Sequence, residues 1–128
     1  MSLRTEIETG GIFQPGKEAL AADIIWNEHP RFKGVAMKHL VKGADTGGRF
    51  SCYLVRIDPG CRLEEHTHEG SFELHEVVEG LGECVMGDAR IVYKPGVTAV
   101  IPQGVAHSVA ADPRKELYLL AKYVPALV

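Results

Sequence analysis

The sequence predicts an all-β sandwich or barrel, and three observations predict it. Its β-branched and aromatic residues fall in short runs rather than long ones. Turn formers separate these runs at intervals of about eight to twelve residues, the spacing of sandwiches and barrels. The 14 glycines and 7 prolines are spread along the chain, which suits many tight turns rather than disorder.

In chain order, residues 1–34 are the least regular and read as an N-terminal arm, or as edge strands that pack on a partner subunit. Within them Gly16–Asp23 carries a short, weak helical pattern. Extended segments follow over Val35–Val41, Phe50–Ile57, Phe72–Val78, Gly82–Met86, Ala89–Tyr93, Thr98–Ile101, His107–Ala110 and Leu117–Val124. Between them lie turns such as Asp58-Pro59-Gly60, Lys94-Pro95-Gly96 and Pro102-Gln103-Gly104. The apolar run Leu117–Val124 fits either a subunit face or a barrel strand covered on both sides. Residues 35–128 thus make one domain.

Composition narrows the function. With 14 basic and 17 acidic residues interspersed, the formal charge is −3, and no basic cluster marks a nucleic-acid or membrane surface. The first residues lack the apolar run of a signal peptide, and no stretch is long enough to span a bilayer as a helix. Cys52, Cys61 and Cys84 are odd in number and lack metal-type spacing. They read as small apolar residues in a reducing cytoplasm.

The chemistry concentrates in two short segments. His66 and His68 are two residues apart and share one face of an extended chain; Glu73 follows five positions later. A turn at Glu69-Gly70-Ser71 resets the phase, so that Glu73, on a returning strand, faces the same point. His107 arrives from a distant strand that starts after Pro102-Gln103-Gly104. Three imidazoles and one carboxylate are a donor set for one divalent transition metal: Fe, Mn, Ni, Zn or Cu. A metal preferring six donors keeps positions open for water, dioxygen or a chelating substrate.

These segments resemble the two motifs of the cupin superfamily. Gly60, His66, His68, Glu73 and Gly80 occupy every fixed position of the first, and Gly96, Pro102, Gly104 and His107 match the second. Ala111 stands where the family usually has Asn, which leaves the hydrogen bonding after His107 open. The resemblance covers about Phe50 to Ala111. It implies a jelly-roll (double-stranded β-helix) barrel, a metal held by His66, His68, Glu73 and His107, and a homodimer.

His75 shares the inward face with Glu73 and Val77. It reads either as an acid/base group beside the metal or as a wall residue that hydrogen-bonds a neighbour. His29 and His39 read as structural or exposed, Glu76 as an outer-face charge able to pair across a dimer, and Trp26 and Tyr53 as lining a pocket or a subunit face. The expected function is that of a metalloenzyme acting on a small chelating organic molecule. Dioxygenase-like oxidation is favoured; decarboxylation, isomerisation and β-elimination fit the same ligands. The alternative is a non-catalytic cupin that binds or senses a small ligand.

Overall fold

The computed structural model describes all residues, Met1–Val128. A short helix α1 (Leu3–Thr9) is capped by the Ser2 side chain, which accepts from the Thr5 amide, and is braced by an Arg4–Glu8 pair one turn apart. Strands β1 (Gly11–Gln14) and β2 (Lys17–Leu20) form a hairpin that pairs Gln14 with Lys17. A 3-10 turn over Ala21–Asp23 leads to β3 (Asn27–Glu28).

The helical reading of Gly16–Asp23 is therefore wrong. The segment is too short to sustain a helix by itself, and the Pro15-Gly16 turn folds it back on β1 before a second helical turn can form. The arm's helix lies instead at Leu3–Thr9, where the serine cap and the spaced ion pair are its sequence signals.

The remaining strands are β4 (Val35–Val41), β5 (Ser51–Ile57), β6 (Arg62–His66), β7 (Phe72–Gly80), β8 (Gly82–Met86), β9 (Ala89–Tyr93), β10 (Thr98–Ile101), β11 (His107–Ala111) and β12 (Leu117–Val124). They form a six-stranded sheet, β10-β7-β12-β5-β4-β3, and a four-stranded sheet, β6-β11-β8-β9, with every pairing antiparallel. This is the all-β jelly-roll expected.

Alternation sets which side chains point inward. On β5, Tyr53, Val55 and Ile57 are buried, and on β7 the buried positions are Glu73, His75 and Val77. β12 lies between β5 and β7, and Leu117, Leu119, Ala121 and Tyr123 enter the core from it. Its apolar run is thus a covered barrel strand. Across the core, Cys84, Tyr93, Val109 and Ala111 come from the smaller sheet. Polar Glu73, His75 and His107 are buried in this largely apolar interior, and that placement creates the site. No helix is long and apolar enough to cross a membrane.

Candidate metal centre

Strand register brings the donors together. β11 and β6 pair His107 directly with His66, so their rings lie side by side with centroids 4.2 Å apart. Glu73 enters from the facing sheet, paired with Tyr123 of β12 and Ile101 of β10. His68 lies just past the end of β6, not on it. Its position is fixed by its carbonyl, which accepts from the Gly104 amide at 3.1 Å and ties the loop to the turn before β11. One donor atom from each of His66, His68, Glu73 and His107 lies within 4.8 Å of the others.

The local hydrogen bonds prepare the histidines as ligands. The Nδ1 of His66 lies 2.7 Å from the Glu64 carbonyl, and the Nδ1 of His107 lies 3.0 Å from the Val105 carbonyl. A carbonyl only accepts, so each Nδ1 carries the proton and each Nε2 presents a lone pair. Such backing bonds fix the tautomer and orientation of metal-ligating histidines.

The fit to a metal rests on two orphaned atoms. Glu73 Oε1 and His107 Nε2 are both buried without a hydrogen-bond partner, yet they stand 3.1 Å apart, with His68 Nε2 at 3.5 Å from the same oxygen. Two lone pairs in a dry cavity repel unless something positive lies between them. Metal–ligand bonds of about 2.1 Å put neighbouring ligands roughly 3.0–3.4 Å apart, which these separations match. The arrangement suits a divalent transition metal.

Without a metal, a proton takes that place. Burial favours the neutral acid of Glu73, but the adjoining His107 and His75 imidazoles outweigh it and hold the carboxyl far below its usual range. Burial also opposes protonation of His107, but the Glu73 carboxylate reverses the balance and raises it. Burial keeps His66 and His68 below the ordinary histidine range, so both offer lone pairs at neutral pH. A metal must therefore displace the His107 proton, and its affinity should rise with pH. Cobalt(II) titration should show binding roughly tenfold or more tighter at about pH 8 than at about pH 6. Equal affinity at both would remove the proton from the account.

His75 is 1 % exposed, and both of its nitrogens are engaged. Nε2 lies 2.5 Å from Glu73 Oε2, and Nδ1 lies 2.8 Å from the Tyr93 hydroxyl. A carboxylate only accepts, so Nε2 donates to Glu73 and Nδ1 accepts from Tyr93. Burial pushes the Tyr93 phenol well above its ordinary value, which keeps that hydroxyl a donor.

Three of the four donors, His66, His68 and Glu73, border a cavity of about 80 Å³ together with His75, walled chiefly by apolar and aromatic residues including Met37, Leu63, Tyr123 and Leu127. No lysine or arginine lines it. A larger concavity, about 590 Å³, lies between the β1–β2 hairpin and β4 and contains none of the donors; the chemistry, not the volume, identifies the site.

Other sequence-stated residues fall variously. Tyr53 lines the metal cavity, whereas half-buried Trp26 donates to Glu8 and stacks under the Arg56 guanidinium. Glu76 pairs with Lys122 of the same chain. His39 packs edge-on against Tyr53 and hydrogen-bonds Asn27. The cysteines are all free; Cys84 is buried, Cys52 and Cys61 half-buried, and burial raises the thiols of Cys52 and Cys84, away from nucleophilic use. The missing Asn at Ala111 is met by backbone: the Ala111 amide donates to the Cys61 carbonyl and that of Asp112 to the Leu81 carbonyl. One residue that sequence reasoning set aside, His29, also lines the cavity.

Fold and site together define a small β-barrel with a three-histidine, one-glutamate centre able to hold a metal. The sequence matches the cupin domain over residues 53–123, and the chain belongs to the cupin family. Among solved structures, it is similar to a predicted oxalate decarboxylase of Thermotoga maritima, at 22 % identity over 81 % of this chain and 95 % of that one, with a TM-score of 0.74. It is similar also to the polyketide cyclase RemF of Streptomyces resistomycificus (21 %, 84 % and 82 %, TM-score 0.71) and to the ectoine synthase of P. lautus (23 %, 75 % and 67 %, TM-score 0.66). These likenesses establish the fold. No curated protein matches the chain.

Proposed function

We propose that this cupin is a mononuclear metalloenzyme that holds one divalent transition metal through His66, His68, Glu73 and His107 and acts on a small oxygen-chelating organic molecule. The observation that carries this is the pair of orphaned lone pairs on Glu73 and His107, 3.1 Å apart in a buried cavity. A metal bound there supplies Lewis acidity and, if redox-active, access to dioxygen. Oxidation of dioxygenase type is the favoured reaction, with decarboxylation, isomerisation and elimination on the same donor set. The similar structures named as a predicted oxalate decarboxylase, a polyketide cyclase and an ectoine synthase support this breadth.

The chain's own residues set the limits of that chemistry. The apolar wall excludes water and accepts a carbon skeleton; with no cationic side chain lining the cavity, it favours substrates whose only anionic group is the chelating one. His75 positions the carboxylate: its bond to Oε2 leaves Oε1 for the histidines. An acid/base role would require a free ring nitrogen, and both are taken. The same proposal includes a homodimer, for which exposed Phe13, Leu20 and Ile25 of the arm offer an apolar face.

The binding or sensing alternative is favoured by one observation, the engagement of both His75 nitrogens. Oxygen consumption and product analysis with metal-loaded protein and a panel of diketones, catechols and hydroxy acids separate the two. Turnover with at least one small chelator is expected, and His75→Ala should retain metal, shift the visible spectrum of the cobalt form and lower turnover on the order of tenfold or more. Saturable binding of these compounds without conversion would replace the enzyme by the binder, and an unshifted spectrum would reduce His75 to a wall residue.

A further inference from the structure

We infer that His29, from the arm, is a substrate-facing hydrogen-bond donor of the cavity, a specificity-determining residue that contacts the ligand chelated at the centre. The inference rests on the metal reading above and deepens it. His29 sits where β3 gives way to the turn before β4, and its own amide donates to the Val35 carbonyl at 2.8 Å. Its ring lines the same cavity as His66, His68, Glu73 and His75.

The protonation of that ring follows from its partners. Nδ1 lies 3.1 Å from the Arg31 amide and 3.2 Å from the Phe32 amide. Backbone amides only donate, so Nδ1 is the acceptor and the ring proton belongs on Nε2. Burial and the nearby Arg31 guanidinium both disfavour a second proton. Stacking on Phe32, with centroids 4.5 Å apart, fixes the plane, and Phe32 in turn packs against His66 at 6.1 Å.

Capping the turn accounts for Nδ1 and leaves Nε2–H unused, since it has no hydrogen-bond partner in the protein and is not sealed from solvent. Other polar atoms on the wall are differently placed: His75 uses both nitrogens, the Tyr123 hydroxyl lies against the Glu73 carboxylate, and the buried Tyr53 hydroxyl lies beside Ser51 and the Val128 backbone. An oxygen of a small chelating anion is therefore the ligand chemistry that Nε2–H fits. A fixed ring whose proton cannot move to Nδ1 orients the ligand and does not act as a general base.

Two variants divide the ring's functions. In His29→Asn the amide oxygen replaces Nδ1 and keeps the turn capped but removes the distal donor; in His29→Gln the amide nitrogen replaces Nε2–H. Cobalt(II)-loaded protein is titrated with acetohydroxamate, a small bidentate oxygen chelator, and followed by its visible spectrum. Cobalt affinity should stay at the wild-type value in both variants. The acetohydroxamate Kd should rise on the order of tenfold in His29→Asn and return to within about threefold of wild type in His29→Gln. An unchanged Kd in His29→Asn, a failure of His29→Gln to restore it, or a loss of cobalt affinity in His29→Asn would overturn the assignment. If wild-type protein takes up no cobalt, the metal reading fails first, and this inference with it.

Discussion

His107→Ala should lower metal affinity on the order of 10²- to 10³-fold, which follows if the roughly 10–16 kcal/mol of a four-ligand site is shared among its donors. Among the ligands His107 is the most enclosed histidine, 1 % exposed, and its ring is set by the Val105 carbonyl and by pairing of β11 with β6. The nearby imidazoles are held elsewhere: His75 by Glu73 and Tyr93, and His29 by the Arg31 and Phe32 amides, which take its one lone pair. Competition titration with a chelator of known affinity measures the change, and circular dichroism of the same sample shows that the barrel persists. Wild-type affinity in a folded His107→Ala protein would remove this residue from the ligand set.

The second large effect is on stability. Gly80 ends β7 opposite Leu117 with φ +95, and a Cβ there would lie 1.8 Å from the Glu116 carbonyl oxygen. The obstructing atom is backbone of the turn entering β12, the strand between β5 and β7, so it cannot yield as a flexible side chain would. Gly80→Ala should cost about 3 kcal/mol or more, combining left-handed strain with the clash. Gly87 also has positive φ, +57, but open space where its Cβ would be, and Gly87→Ala should cost only about 1 kcal/mol. Urea unfolding of the pair separates the clash from the strain; equal losses would show that the close approach at Gly80 is not the determinant.

Much of the barrel was legible because its strands carry local signals. Gly82–Met86, Ala89–Tyr93, Thr98–Ile101 and Leu117–Val124 are each bounded by turn formers, and the structure places strands over these residues. β6 escaped because Arg62-Leu63-Glu64-Glu65-His66 has a single apolar residue, and its charges face outward. Pairing with β11, a contact distant in sequence, makes it a strand. Glu73 and His75 could be placed on one inward face from period two alone, and burial alternates along β7 in that way. His68 comes to the site by a different route from the one its spacing suggests, through the tie between its carbonyl and Gly104.

What the sequence concealed depends on tertiary packing. In the arm, Gly16–Asp23 carries helix-compatible residues, but hairpin closure onto β1 decides its conformation. His29 has no motif around it, and only the fold shows that the turn between β3 and β4 carries its ring to the metal cavity. The Tyr93–His75–Glu73 chain likewise unites strands from both sheets, a juxtaposition no local pattern encodes.

The most direct measurement is the metal stoichiometry of purified protein, by elemental analysis after cobalt(II) loading and desalting, alongside Glu73→Ala treated identically. Close to one metal per wild-type chain, with little retained by the variant, is the expected result. A wild-type protein that retains no metal, or a variant that retains as much as wild type, would contradict the claim that the buried glutamate and its three imidazoles enclose a cation.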